Sequence, residues 1–153
     1  MLKEMIKGLL PTSTLQWFRR RRAEKANRRI AGLPPSEAFD LIYRNGWWGD
    51  STRPSGHGSY GIWADAFVEA ILKLVHEHGW NSVADIGCGD FNVGRRLAPH
   101  VESYLGLDVS KVIVERNRKL FASMKTVCFE TFDLIEARPP TPISFSCVRC
   151  CNI

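Results

Sequence analysis

The spacing of apolar positions changes along the chain, and the changes divide it. In the first 31 residues Leu15, Phe18, Arg22, Ala26 and Ile30 fall on one narrow stripe with further arginines around it. That spacing predicts one or two helices, interrupted at Pro11 because proline lacks the N–H a helix interior needs. Pro34-Pro35 closes this arm, and Ser36 stands where an N-cap would start a short helix with Phe39, Ile42 and Tyr43 on one side. From 45 to 59 (NGWWGDSTRPSGHGS) glycines, a proline and small polar residues erase any period, which predicts a loop. Residues 60–78 restore a helical period. Trp63, Phe67, Ala70, Ile71 and Leu74 form its expected apolar stripe. Asp65, Glu69, Lys73 and Glu77 line the other side, with Glu69 and Lys73 in the favourable order for an ion pair, and Gly79 takes the left-handed position after the last turn.

The period then shortens. Ser82–Ile86 reads as a strand running into Gly87-Cys88-Gly89, and Asn92–Ala98 as a short helix stopped by Pro99. Ser103–Leu107 reads as a second strand ending at Asp108, Ser110 as the cap of a helix running to about Met124, and Thr126–Thr131 as a third strand ending near Asp133. Strands alternating with helices predict right-handed βαβ units and a parallel sheet. The fold class is therefore α/β, a Rossmann-like parallel sheet preceded by N-terminal helices.

Composition alters this picture in three ways. The 153 residues, 44% hydrophobic and 24% charged, are one ordinary globular domain's worth rather than a disordered chain. The net charge of +5 is not spread evenly. Residues 1–30 carry nine basic and two acidic residues, a net +7, and the remainder carries a net −2. The Arg19–Arg22 run is either a contact for nucleic acid or an anionic membrane, or a solvated helix face. The apolar stretch at Leu9-Leu10 is cut by Pro11 before it reaches signal-peptide length, and no apolar run is long enough to span a membrane, so a cytoplasmic chain with reduced thiols is expected. Three of the five cysteines crowd the last seven residues. Cys147 and Cys150 have metal-ligand spacing, but no second pair exists, so no metal is expected.

The residues that carry chemistry sit at the carboxyl ends of the three strands, the edge where open α/β sheets bind ligands. Asp85-Ile86-Gly87-Cys88-Gly89-Asp90 is an acid followed by two glycines one residue apart. Such a loop brings backbone N–H groups close to a ligand. Asp108 follows Gly87 by 21 residues, where a strand-end carboxylate accepts both hydroxyls of a ribose, and Asp133 stands where the adenine would then lie. A dinucleotide fingerprint is excluded because its third glycine is replaced by Asn92.

VADIGCGDF, YLGLDVS and ETFDLIEA together resemble the first three motifs of bacterial class I S-adenosylmethionine-dependent methyltransferases. The resemblance implies S-adenosyl-L-methionine as cofactor and methyl transfer to an acceptor the sequence does not identify. By position, Asp85, Gly87, Cys88, Gly89 and Asp90 match the methionine-binding loop, Asp108 with Val109 the ribose end, and Asp133 with Leu134 the adenine side. The stretch from Ile42 to Ser59 resembles a segment ahead of the first motif that closes over the cofactor. The expected organisation is a basic arm (1–35), a helical and loop cap (36–80), a cofactor-binding half-domain (81–140) and an aberrant tail (141–153).

The resemblance implies a longer sheet than three strands and a fourth at most, so the chain reads as the first half of that fold, truncated, with little activity of its own. Reading the tail one base out of frame turns Cys-Cys into leucine and Cys-Asn into glutamine or a stop, as a fourth strand and its continuation would need. A frameshift is therefore expected. The competing class is a non-enzymatic module acting through the basic arm. Cys88 is either a space-filler or a nucleophile, His57 either a loop residue or a general base, and Trp47 and Trp48 are either packing residues or a stacking platform.

Overall fold

The computed structural model describes residues 12–136. The tail at 141–153, with its expected frameshift and its Cys147–Cys150 spacing, lies outside the described residues. The chain falls into two compact units that divide after Leu33. In the first, helix α1 (Thr12–Ile30) exposes Arg20, Arg21, Lys25, Arg28 and Arg29. Glu24 accepts a hydrogen bond from Arg20 at 3.0 Å, and the guanidinium of Arg21 lies over the Trp17 ring at 4.7 Å.

The second unit is built on one three-stranded sheet. Helix α2 (Pro35–Asn45) and helix α3 (Ile62–His78) precede strand β1 (Ser82–Ile86), short helix α4 (Gly94–Leu97), strand β2 (Ser103–Asp108), helix α5 (Lys111–Leu120) and strand β3 (Val127–Thr131). The strands are all parallel in the order β1-β2-β3, with Ala84 opposite Leu105 and Leu105 opposite Cys128. This is the Rossmann-like α/β class expected. The core centres on Phe91, which is fully buried and meets the rings of Tyr104, Phe121 and Phe129 edge-on at 4.8–5.2 Å. Edge-to-face rings at this spacing add to the area they bury.

Several local expectations are corrected. Ser36 is not a cap: α2 starts at Pro35 after Pro34, and no side chain caps its first turn, because a proline at the first helical position needs no N–H partner. Pro99 does not stop a helix but sits inside a 3₁₀ turn (Ala98–His100) that continues α4. On α3 the expected apolar stripe is displaced. Ala64, Val68 and Val75 are buried, whereas Trp63 is 79% exposed and Phe67 54%. The helix is apolar over about half its circumference, so periodicity alone did not fix which part of the arc faces the sheet. Lys73 pairs with Glu77 at 3.7 Å. Cys88, in the loop after β1, is free and buried. Ser110 does cap α5, accepting from the Ile113 N–H at 3.4 Å, and Gly79 does take the left-handed conformation at φ 62°. Among the described residues no helix is long and apolar enough to cross a membrane.

Candidate functional site

The three strand ends expected to carry chemistry are brought together. The loop after β1 hangs from the end of β2: the N–H groups of Gly87 and Cys88 both donate to the Leu107 carbonyl, at 2.7 and 3.0 Å. Gly89 N–H donates to one Asp108 carboxylate oxygen at 3.0 Å, and Ser110 N–H to the other at 2.9 Å. From β3, Phe132 N–H donates to the Asp108 carbonyl at 2.9 Å, which sets Asp133 beside that strand end. Asp133 is half-buried and accepts from the Ile135 N–H at 2.9 Å, Val109 is half-buried, and Leu134 is 57% exposed.

Both loop glycines lie at positive φ. Gly87 has φ 80°, and a methyl there would meet nothing within 4 Å, so glycine is favoured there by its conformation and not by crowding. Gly89 has φ 54°, and a methyl there would lie 2.5 Å from Ser55 Oγ.

Electrostatics separates the site's acids and thiol. Asp108 is 6% exposed. Burial pushes its carboxyl above the ordinary carboxylate value, and the N–H groups of Ser110 and Gly89 pull it back. Burial likewise raises Asp85, which accepts a hydrogen bond from the Tyr104 hydroxyl and so faces the aromatic core. Cys88 is held as a thiol: burial raises it first, and the nearby Asp108 and Asp85 charges raise it further. That suits a small residue filling the space beside Gly106 and not a nucleophile.

Four positions around this loop were not singled out from the sequence. Asn117 on α5 is fully buried and donates to the Gly89 carbonyl at 2.7 Å. Asp40 on α2 accepts from the Ser110 hydroxyl at 2.6 Å and the Val112 N–H at 3.2 Å, adding a negative group at the N-terminus of α5. Ser55 and Tyr60 come from residues 46–61, which lie over the glycine loop as a strap. Ser55 N–H donates to Asp90 Oδ2 at 3.2 Å, Asp90 N–H donates to Ser55 Oγ at 2.7 Å, and Tyr60 hydroxyl donates to Asp90 Oδ2 at 2.8 Å. Asn92 donates to the Ser59 carbonyl. Separations of 30 to 35 residues and ordinary residue types give these pairs no local sequence signal.

Beside the strap's attachment is a cavity of about 330 Å³ lined by Trp48, Asp50, Thr52, Arg53 and His57 and by two glycines. A larger open cleft of about 610 Å³ lies between α2 and α5, with Arg44, Arg116 and Lys119 on its walls. Among the described residues no group of three or more His, Cys, Asp or Glu is placed to hold a metal ion.

No family model matches the chain, and no curated protein does. Solved structures similar to it include the YcgJ protein from Bacillus subtilis, 20% identical with a TM-score of 0.42 over 50% of this chain and 33% of that one. A second is magnesium protoporphyrin IX methyltransferase from Synechocystis PCC 6803 with bound S-adenosylhomocysteine, 18% identical with a TM-score of 0.40 over 83% of this chain and 53% of that one. A third is the CurJ carbon methyltransferase, 14% identical with a TM-score of 0.49 over 76% of this chain and 39% of that one. The chain thus spans about a third to about half of the length of each.

Proposed function

We propose that the body binds S-adenosyl-L-methionine and serves methyl transfer. One observation carries this reading: the Gly87–Gly89 loop and the strand-end Asp108 form a single hydrogen-bonded unit, with Gly89 N–H on the Asp108 carboxylate. The residues fit the cofactor in type and place. The uncrowded turn at Gly87, with Cys88, Gly89 and Asp90 around it and Asp85 at its base on Tyr104, suits the methionine end. Asp108 keeps lone pairs beyond the two N–H groups it accepts, and with Val109 it suits the ribose. Asp133 and Leu134 suit the adenine side.

When bound, the cofactor supplies an electrophilic methyl group on a sulfonium. The protein's part is proximity and orientation, since a displacement of this kind gains most from holding the reacting atoms in line. Asp108 and the loop would fix the cofactor, and the strap would cover it and exclude water. Ser55 Oγ fills the notch over Gly89 and accepts the Asp90 N–H, so a ligand carboxylate seeking that N–H must displace the hydroxyl.

Calorimetry with S-adenosylhomocysteine tests the reading. The expected affinity is weak, in a range of about 10 μM to 1 mM. Asp108→Ala should weaken it by about tenfold to a hundredfold, the loss of charge-assisted bonds. Absence of heat at about 1 mM ligand, with the protein folded by circular dichroism, would overturn the assignment.

A further inference from the structure

We propose that the strap cavity between Trp48 and His57 is the acceptor pocket, and that it takes a small planar aromatic molecule bearing an anionic group. This rests on the methyl-transfer reading above and adds the substrate class. The cavity's place comes first. Gly56 is in its lining, and the preceding Ser55 is bonded to Asp90 in the glycine loop, so one wall of the cavity adjoins the loop proposed to hold the cofactor.

Its chemistry comes next. Trp48 is 47% exposed, so a large apolar face is left for a ligand. That ring does not swing freely: Phe39 and Tyr43 meet it edge-on at centroid distances of 5.3 and 6.1 Å. A half-exposed, braced indole is a stacking platform for a flat ring. The charges on the wall are not equivalent. Asp50 is the negative one, and its Oδ1 already accepts from the Thr52 N–H at 2.8 Å, the Thr52 hydroxyl at 2.6 Å and the Arg53 N–H at 2.9 Å. Those bonds tie Oδ1 to its own turn. Arg53 keeps its guanidinium in play, lying over the Tyr60 ring at 5.1 Å, and His57 supplies a second nitrogen donor. A planar cation that stacks and donates in a fork matches a carboxylate or phenolate on a flat ring. Gly49 and Gly56 contribute no side chains to the wall, and a volume of about 330 Å³ is at the small end for ligand pockets, so one or two rings fit and a macromolecular segment does not.

Salicylate is the probe, read by the indole N–H resonances of the full chain labelled on tryptophan nitrogen, with Trp48→Phe assigning the Trp48 signal. Salicylate should shift the Trp48 resonance selectively. Cyclohexanecarboxylate, which is anionic but not flat, and benzyl alcohol, flat but neutral, should each need about tenfold more ligand. Arg53→Gln should abolish the preference for salicylate over benzyl alcohol while the remaining indole signals stay in place, which separates lost recognition from lost folding. No selective shift at about 50 mM salicylate, or equal response to all three probes, overturns the proposal. Calorimetry with S-adenosylhomocysteine on the same sample keeps the two readings apart. Heat without a Trp48 shift overturns the pocket alone. A shift without heat overturns methyl transfer, and with it the pocket's role as acceptor seat.

Discussion

The glycine loop and the strap meet at Asp90, yet they are held by different means. The loop is fixed from beneath by main-chain bonds to Leu107 and by the buried carboxylate of Asp108 and amide of Asn117. The strap is fixed mainly by side chains, through the bonds of Ser55 and Tyr60 with Asp90 and the packing of the Trp48 ring on Phe39 and Tyr43, and much of its remainder is exposed. A buried backbone-anchored loop opens only with the fold around it, whereas a segment held by a few partly exposed bonds opens locally. The difference is what a site needs if its cofactor cradle must be rigid and its cover must move.

The largest expected effect breaks the loop side. Phe91 is fully buried, sits at φ 63°, and links the loop to the sheet through Tyr104, Phe121 and Phe129. Phe91→Ala should cost about 3–5 kcal/mol of unfolding free energy, measured by urea denaturation, and should weaken strap and loop together. Asp90→Ala attacks the junction. It removes the acceptor used by Ser55 N–H, Tyr60 hydroxyl and Asn92 N–H, so hydrogen exchange across residues 46–61 should accelerate by about tenfold to a hundredfold. Amides of β2 should exchange as before. Loss of protection in β2 of equal size would show that the strap is part of the core.

Much of the loop side was legible from the residues, whereas the strap was expected only through the resemblance of Ile42–Ser59 and its contacts were not legible. Asp85, the two glycines and Asp108 lie at strand ends marked by a change of period, so their proximity follows from parallel βαβ order alone. Ser55, Tyr60, Asp40 and Asn117 act through one or two long-range bonds each, and no periodicity places a serine against an aspartate 35 residues away. Trp63 and Phe67 misled for a different reason. Helix α3 is apolar over more of its arc than it buries, and the covered part is chosen by the packing of Val68 and Ala64.

Tyr60 gives a smaller effect that concerns the strap alone. Partial burial, its hydrogen bond to Asp90 and the Asp90 charge push its hydroxyl from 10.0 up to about 12. A raised tyrosine favours the neutral form in the fold, so its contribution is intact below pH 10 and is lost as pH rises through about 12. Tyr60→Phe should remove that alkaline step from strap exchange and cost about 1 kcal/mol locally at neutral pH.

The smallest effect tests the rigidity of the cradle. Asp85 has its carboxyl raised by burial, opposed by the hydrogen bond from Tyr104. A raised carboxyl means that the folded state favours the protonated form. Its favourable contribution is therefore complete below the ordinary value of 3.8 and declines as pH rises through the raised one. Asparagine at this position keeps an oxygen for the Tyr104 hydroxyl and carries no charge. The thermal midpoint of Asp85→Asn, compared with the parent chain at pH 4 and pH 7, should therefore move in the variant's favour as pH rises. A gap that stays constant with pH would mean that the buried carboxylate ionises in the folded chain as easily as in the unfolded one. The loop would then be open to water at its base, and the contrast between a rigid cradle and a mobile cover would be lost.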